Sequence, residues 1–89
     1  MKILFDEEAW IEFMEWTMRD NKTTKRINDL IKDIQRNGLL KGMGNPEILK
    51  YQNDREVYSR RIDSKNRLTY ELDTNGNLNI LQCRGHYND

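Results

Sequence analysis

The chain of 89 residues is poor in the residues that build disulfides, metal sites and membrane spans. It contains one cysteine, Cys83, and one histidine, His86, so an internal disulfide is excluded and a zinc site is disfavoured. No apolar run approaches the roughly 20 residues needed to cross a bilayer, and the N-terminal segment lacks the apolar stretch of a signal peptide. We therefore expect a cytoplasmic protein that needs no metal or other cofactor and does not enter a membrane.

The chain also lacks an excess of charge of either sign, because 15 basic residues balance 15 acidic residues. A protein that binds nucleic acid through its overall charge usually carries a strong positive excess, so the neutral sum argues against that class. Four arginines of the C-terminal half nevertheless lie in strand-like sequence and could form a local basic face: Arg60, Arg61, Arg67 and Arg84. The length allows one hydrophobic core, and we treat residues 1–89 as a single domain.

Two stretches near the N-terminus have the apolar spacing of amphipathic helices. The first follows Asp6, a good N-cap residue, and the second ends at Gly38, as a helix with a C′ glycine does. Most apolar residues of these stretches are three or four positions apart: Ala9, Trp10, Phe13, Met14, Met18, Ile27, Leu30, Ile31 and Ile34. The pattern predicts a two-helix hairpin. The tryptophans Trp10 and Trp16 cannot both lie at the centre of one narrow stripe, so we expect them in the core or at a partner-facing edge.

Strand-like sequence lies on both sides of this hairpin. It covers residues 2–5, 57–63, 67–73 and 78–84, and Asn75-Gly76 is a strong signal for a tight hairpin turn. Residues 39–45 contain two glycines and lead to Pro46, which predicts a loop. The resulting order is β-α-α-β-β-β, an α+β fold in which the two-helix hairpin packs on a curled, mainly antiparallel sheet.

Alternation along the second and third strand-like segments sorts their side chains into two faces. The mostly apolar face, which should meet the helices, carries Tyr58, Arg60, Ile62, Leu68, Tyr70 and Leu72. Arg61 and Arg67 then share the opposite face. One interpretation is that they are solvated strand residues paired with Asp63 or Glu71; the other is that they bind an anion.

Three sequence motifs bear on this choice. Residues 44–50 (GNPEILK) resemble the G-x-P-E-x-L-K loop of the YoeB/Txe toxins. Residues 58–62 (YSRRI) and 66–70 (NRLTY) resemble the W-S-R-R-I and H-R-L-V-Y strands of that family, and residues 83–87 (CRGHY) are similar to its C-R-x-H-Y terminus. Because the motifs occur in the family's order over nearly the whole chain, the sequence resembles the YoeB/Txe branch of the RelE/ParE toxin superfamily.

The match has two departures. Tyr58 stands where the family has tryptophan, and Asn88 and Asp89 extend the chain beyond the His-Tyr pair that usually closes it. The extension puts a further carboxylate pair, Asp89 and the C-terminus, near the expected site.

The resemblance implies a RelE-like microbial RNase fold and a toxin of a type II toxin–antitoxin system. The implied activity is ribosome-dependent endonuclease cleavage of mRNA in the A site of the 70S ribosome, by metal-free acid–base attack of a 2′-hydroxyl. By that resemblance, Glu47 is the general base and His86 the general acid, while Arg67 and Arg61 hold the phosphate. Residues expected to stack on a base or contact the substrate are Tyr87, Lys50 and Arg60.

Taken singly, each of these residues is more often an ordinary loop, terminal or strand residue, and it is the joint match that favours function. The alternatives are a ParE-like gyrase poison and a non-catalytic interaction module on the same fold. The expected partners, besides message and ribosome, are a YefM-like antitoxin, whose C-terminal segment would fold over the site, and a second copy of the chain in a homodimer.

Overall fold

The computed structural model describes residues 1–52 and 55–85, except for the side chains of residues 50–52. Its elements in chain order are β1 (Ile3–Phe5), α1 (Glu7–Arg19), α2 (Asn21–Asn37), β2 (Glu47–Gln52), β3 (Arg55–Arg61), β4 (Arg67–Leu72) and β5 (Leu78–Gln82). The predicted helix hairpin is confirmed. The structure adds one strand, β2, to the predicted order.

A single residue, Asp20, separates the two helices. Its carboxylate accepts hydrogen bonds from the backbone N–H and the hydroxyl of Thr23, at 3.1 and 2.8 Å, and so caps the first turn of α2. These bonds hold the pKa of Asp20 below its usual value. Gly38 ends α2 with a φ of 96°, a conformation that glycine adopts readily.

The described strands form a five-stranded sheet in the order β1-β5-β4-β3-β2. The β1–β5 pair is parallel and the other pairs are antiparallel, so the predicted α+β class with a mainly antiparallel sheet is confirmed. Strand β2 escaped prediction because its pairing with β3 shifts between Ile48 and Lys50. A bulge interrupts the two-residue period by which strands are recognised.

The helices cover one face of this sheet, which we call the helix-covered face. Its buried core includes Ile27, Leu30, Ile34, Tyr58, Leu68, Tyr70 and Ile80. The opposite side, the helix-free face, carries polar side chains at the alternate positions of the central strands: Ser59, Arg61, Arg67, Thr69 and Glu71. The predicted division between apolar and polar strand faces is therefore confirmed, except that Leu72, at the end of β4, is 44% exposed and does not join the core.

Candidate functional site

Strand pairing brings three of the predicted site residues to the helix-free face. Glu47 of β2 pairs with Ser59 of β3, and Arg61, two residues farther along β3, pairs with Arg67 of β4. Directly paired residues point to the same side of a sheet, as do residues two apart on one strand. With about 4.8 Å between neighbouring strands, β2 and β4 lie roughly 10 Å apart. Glu47 and both arginines are thus within reach of one small polar ligand.

The two arginines form a like-charge pair, and neither is ion-paired to a carboxylate of the described residues. The guanidinium of Arg61 is exposed and has no hydrogen bond in that part of the chain, while Arg67 donates to the backbone carbonyl of Asp63 at 3.3 Å. Like charges directly opposite one another destabilise an antiparallel pair. The arrangement therefore favours an anion between the two guanidinium groups.

The carboxylates that could have neutralised this pair are bonded elsewhere. The Asp63 carboxylate accepts hydrogen bonds from the backbone N–H groups of Lys65 and Asn66 at 2.8 Å, and Glu71 accepts one from Arg55 at 2.7 Å. The pairing of Arg61 and Arg67 with Asp63 or Glu71 is therefore wrong, whereas the exposure of Arg61 agrees with a solvated strand residue.

The loop before Glu47 is held close to β3. The carbonyl of Gly44 accepts a hydrogen bond from the backbone N–H of Arg61 at 2.7 Å. A Cβ on Gly44 would lie 2.8 Å from a side-chain carbon of Leu30, and φ is +85°, so only glycine fits. The Glu47 side chain itself is exposed, and its carboxylate has no hydrogen bond within the part of the chain that the structure describes. None of the described residues occupies this carboxylate.

The described chain ends at Gly85, beside Arg67. The Gly85 carbonyl accepts from the Arg67 N–H at 3.0 Å, and the Gly85 N–H donates to the side-chain carbonyl of Asn66 at 2.8 Å. His86 and Tyr87 follow but lie outside the described residues, as does the side chain of Lys50, so their roles stay predictions. The structure adds Asn66, which the sequence analysis had noted only as the first residue of the 66–70 motif.

Helix α1 anchors the segment that leads to Gly85. The Trp16 indole donates to the Cys83 carbonyl at 2.8 Å, the Cys83 N–H donates to Glu12 at 2.8 Å, and Arg84 forms an ion pair with Glu15. Burial raises the pKa of the Cys83 thiol to about 12, so this group stays protonated at neutral pH. No spacing in the sequence pointed to these contacts, which join residues about 70 positions apart.

The two tryptophans have different environments. Trp16 is partly buried and bonds to Cys83, the residue directly after β5. Trp10 is 48% exposed and packs its ring against Phe5 and Phe13. Trp10 therefore lies at the edge of the core with half its surface available, as the prediction of core or edge positions allowed.

Arg60 is not part of this site, which corrects the prediction that it binds substrate. Its side chain is fully buried on the helix-covered face, with the guanidinium bonded to protein groups. The physical reason is the strand period, which turns Arg60 to the side opposite Arg61.

Known proteins resemble this chain in sequence and in fold. The model of a family described as the YoeB-like toxin of bacterial type II toxin–antitoxin systems matches residues 5–87. The chain belongs to this family. It is 47% identical to Toxin YoeB of Streptomyces coelicolor over 88 residues, which are 98% of this chain and all of that relative.

Solved structures of YoeB toxins have the same fold as this chain. The YoeB dimer from Staphylococcus aureus has a TM-score of 0.88 at 39% identity, and the heterotetrameric YoeB–YefM toxin–antitoxin complex from S. aureus has 0.85 at 41%. Each comparison covers 98% of both chains. The archaeal RelE–RelB complex from Pyrococcus horikoshii, at 10% identity and a TM-score of 0.73, shows the RelE-like fold alone.

The region that matches the YoeB-like family includes His86 and Tyr87 and ends before Asn88 and Asp89. Within the described residues, no group of three or more histidine, cysteine or acidic side chains could hold a metal ion. In the same part of the chain, no helix has both the length and the apolar character of a membrane span.

Proposed function

We propose that this YoeB-like toxin is a ribosome-dependent endonuclease that cuts mRNA in the ribosomal A site. The observation that carries the proposal is the pair of arginines, Arg61 and Arg67, opposite one another on the helix-free face beside Glu47. A phosphodiester placed between the guanidinium groups would relieve their repulsion, because planar forks bind phosphate oxygens well. The same phosphate would then lie within reach of the Glu47 carboxylate.

The proposed reaction uses the 2′-hydroxyl of the RNA as nucleophile. Glu47 accepts the proton of this hydroxyl, and O2′ forms a bond to the neighbouring phosphorus while the bond from phosphorus to O5′ breaks. His86 donates a proton to the departing O5′. The products are a 2′,3′-cyclic phosphate on one fragment and a 5′-hydroxyl on the other.

Arg67 and Arg61 stabilise the charge that builds up on the phosphate oxygens in this reaction. Tyr87 stacks on or orients a base, and Lys50 contacts the RNA backbone. Two bonds of Gly85 support this scheme: its N–H donates to Asn66, and its carbonyl accepts from the N–H of Arg67. They fix the chain directly before His86 next to the arginine that would hold the phosphate.

The ribosome supplies what the isolated chain lacks. A protein with no net charge attracts RNA weakly at long range, so positioning of message in the A site must contribute to the rate. We expect good cleavage of ribosome-bound message and poor cleavage of free RNA. The proposed substrate lies in the cytoplasm.

The direct test is to incubate the pure protein with translating ribosomes and with free message at equal concentration, and to map the new ends. Cleavage that depends on the ribosome supports the proposal. Fast cleavage of free RNA with no gain from ribosomes would refute its ribosome dependence. Inhibition of gyrase without any cleavage would favour the ParE-like alternative.

We propose a YefM-like antitoxin as the partner that controls this activity. The S. aureus relative was solved as a YoeB–YefM complex, and Trp10 offers a half-exposed aromatic surface on α1. An acidic, partly disordered antitoxin segment could also fold over the arginines of the helix-free face and raise the thermal midpoint of unfolding.

Co-expression with the neighbouring reading frame and purification through one tag tests this partner. Co-purification with loss of cleavage is the expected result. If the neighbouring protein does not co-purify and its excess does not alter cleavage, the antitoxin proposal is wrong. The nuclease proposal is not affected by that result. The mass of the toxin alone in solution tests the homodimer, which the S. aureus dimer suggests as a further assembly.

A further inference from the structure

Arg60 is a fully buried charged residue that the proposed reaction does not use. Its Nε donates to the hydroxyl of Tyr70 at 2.9 Å, and one terminal nitrogen is bonded to the carboxylate of Asp33. The remaining bonds go to backbone carbonyls, those of Met43 at 3.0 Å, Gly38 at 2.8 Å and Lys41 at 2.7 Å. These five bonds equal the number of N–H donors in a guanidinium group.

The acceptors of Arg60 are concentrated in one loop. Three of them are carbonyls within residues 38–43, the connection that follows α2, and Tyr70 adds a fourth contact by donating its hydroxyl to the carbonyl of Leu39 at 2.6 Å. A loop of this kind has no strand partner to satisfy its carbonyls. The Arg60 guanidinium does so from inside the molecule and thereby fixes the path of the loop.

Asp33 holds the same loop from the helix side. Its carboxylate accepts from the backbone N–H of Met43 at 3.0 Å and from the side chain of Asn37 at 2.7 Å. At Gly42, which has a φ of +111°, an added Cβ would lie 1.9 Å from a carboxylate oxygen of Asp33. The loop therefore passes so close to Asp33 that any side chain at position 42 would displace the carboxylate.

The loop fixed in this way leads directly to Glu47. Gly44 follows Met43, and its carbonyl is bonded to the N–H of Arg61. Glu47 then pairs with Ser59, the residue immediately before Arg60 on β3. The position of the Glu47 backbone thus depends on a short connection whose start is fixed by the Arg60 side chain and whose end is paired beside it.

We propose that Arg60 is a positioning residue for the catalytic base: through the 38–43 loop it fixes the place of Glu47 beside Arg61 and Arg67. This inference rests on the proposed nuclease function. Lysine cannot replace Arg60 here, because an ammonium has three donors and no planar fork, so at least two of the five acceptors lose their bond.

The test compares Arg60→Lys with a core variant of similar stability, Ile27→Val or Ile27→Ala, whichever has the closer thermal midpoint. Ile27 is fully buried in α2 and does not contact the 38–43 loop through a hydrogen bond. With ribosome-bound message, we expect Arg60→Lys to lower kcat by about 10- to 100-fold, since a shift of about 1 Å can cost that much. KM should stay close to that of the wild type, because Arg61 and Arg67 are unchanged. Equal kcat values for Arg60→Lys and the Ile27 control would overturn the proposal.

A double-mutant cycle separates positioning of Glu47 from general damage. If Arg60 acts through Glu47, Arg60→Lys should lower the residual rate of the Glu47→Gln variant by less than about 3-fold. The same fold-loss in both backgrounds would show that Arg60 acts independently of the base, and the proposal would be wrong.

Hydrogen exchange gives a readout that does not require nuclease activity. The amides of Met43 and Arg61 donate to Asp33 and Gly44, and in Arg60→Lys they should exchange faster relative to core amides. In the Ile27 control they should not. If the wild type does not cut message, the proposed function is wrong. Unchanged exchange in Arg60→Lys would separately refute the claim that Arg60 fixes the 38–43 loop. If Arg60→Lys does not fold, Tyr70→Phe takes its place in all three assays, because it removes only the hydroxyl that joins Arg60 to Leu39.

Discussion

Arg60 and Arg61 are neighbours in the sequence, yet they lie on opposite faces of the sheet and differ in burial and in hydrogen bonding. Arg60 is fully buried, and its donors are bonded to a carboxylate, a hydroxyl and backbone carbonyls. Arg61 is exposed, and its guanidinium has no hydrogen bond in the described part of the chain. One arginine is committed to the fold and the other is available to a ligand.

The difference comes from the acceptors around each residue and not from the arginines themselves. Under the helices, the 38–43 loop turns its carbonyls toward Arg60 and Asp33 supplies the counter-charge. On the helix-free face, Arg61 has another arginine, Arg67, directly opposite. The fold neutralises the Arg60 guanidinium completely, and it places Arg61 and Arg67 together with no carboxylate of the described residues bonded to either side chain. This is the charge arrangement of an anion site.

The largest effect should come from the acid and the base, if the helix-free face is the catalytic one. Glu47→Gln and His86→Ala should each lower cleavage of ribosome-bound message by about 10²–10⁴-fold, because a positioned proton acceptor or donor is lost. The thermal midpoint of Glu47→Gln should stay unchanged, since the side chain is exposed. Wild-type cleavage rates in both variants would mean that the reaction occurs elsewhere.

The next effect is a difference in the free energy of unfolding between variants of the neighbouring arginines, Arg60 and Arg61. Arg60→Met should lower the free energy of unfolding by about 3 kcal/mol, because removing one partner of a buried pair leaves the other uncompensated. Arg61→Met should change it by less than about 0.5 kcal/mol, as exposed substitutions usually do. Urea unfolding of the two variants measures both. Similar losses in the two would show that the faces do not differ as described.

A smaller effect, on the thermal midpoint of unfolding, should appear at acid pH. The hydrogen bond from Arg60, ahead of the cost of burial and the other contacts, holds the pKa of Asp33 below its usual value of 3.8. A carboxyl with a lowered pKa in the folded state stabilises the fold above its unfolded pKa, and this contribution is lost as the pH falls below about 4. The thermal midpoint of the wild type should therefore fall more between about pH 5 and about pH 3 than that of Asp33→Asn. Parallel curves for the two proteins would argue against an ionised Asp33 in this contact.

Much of the fold could be predicted from local patterns in the sequence. Asp20 and Gly38 have the chemistry of helix ends, and Asn75-Gly76 that of a hairpin turn, so the helices and the last hairpin were predicted near their observed bounds. Strand β2 was missed because its bulge removes the alternation that marks a strand.

For the site, the sequence alone predicted the face of Arg61 and Arg67 but not the role of Arg60. Strand period places Arg60 under the helices, yet the loop carbonyls that bond to it belong to residues about 20 positions away, and no local pattern shows them. The contacts of Trp16 and Glu12 with Cys83 also join residues far apart in the sequence, so no local pattern shows them. The proposed acid, His86, rests on the motif and the family match.

The most direct test of the central claim replaces the nucleophile. A message with a single 2′-deoxynucleotide at the mapped cleavage position can be placed in the ribosomal A site and compared with an all-ribose message. If the helix-free face acts through Glu47 on a 2′-hydroxyl, the ribose message is cut to fragments ending in a 2′,3′-cyclic phosphate and a 5′-hydroxyl, and the deoxy message is not cut at that position. Cleavage of both messages at the same rate would contradict the account.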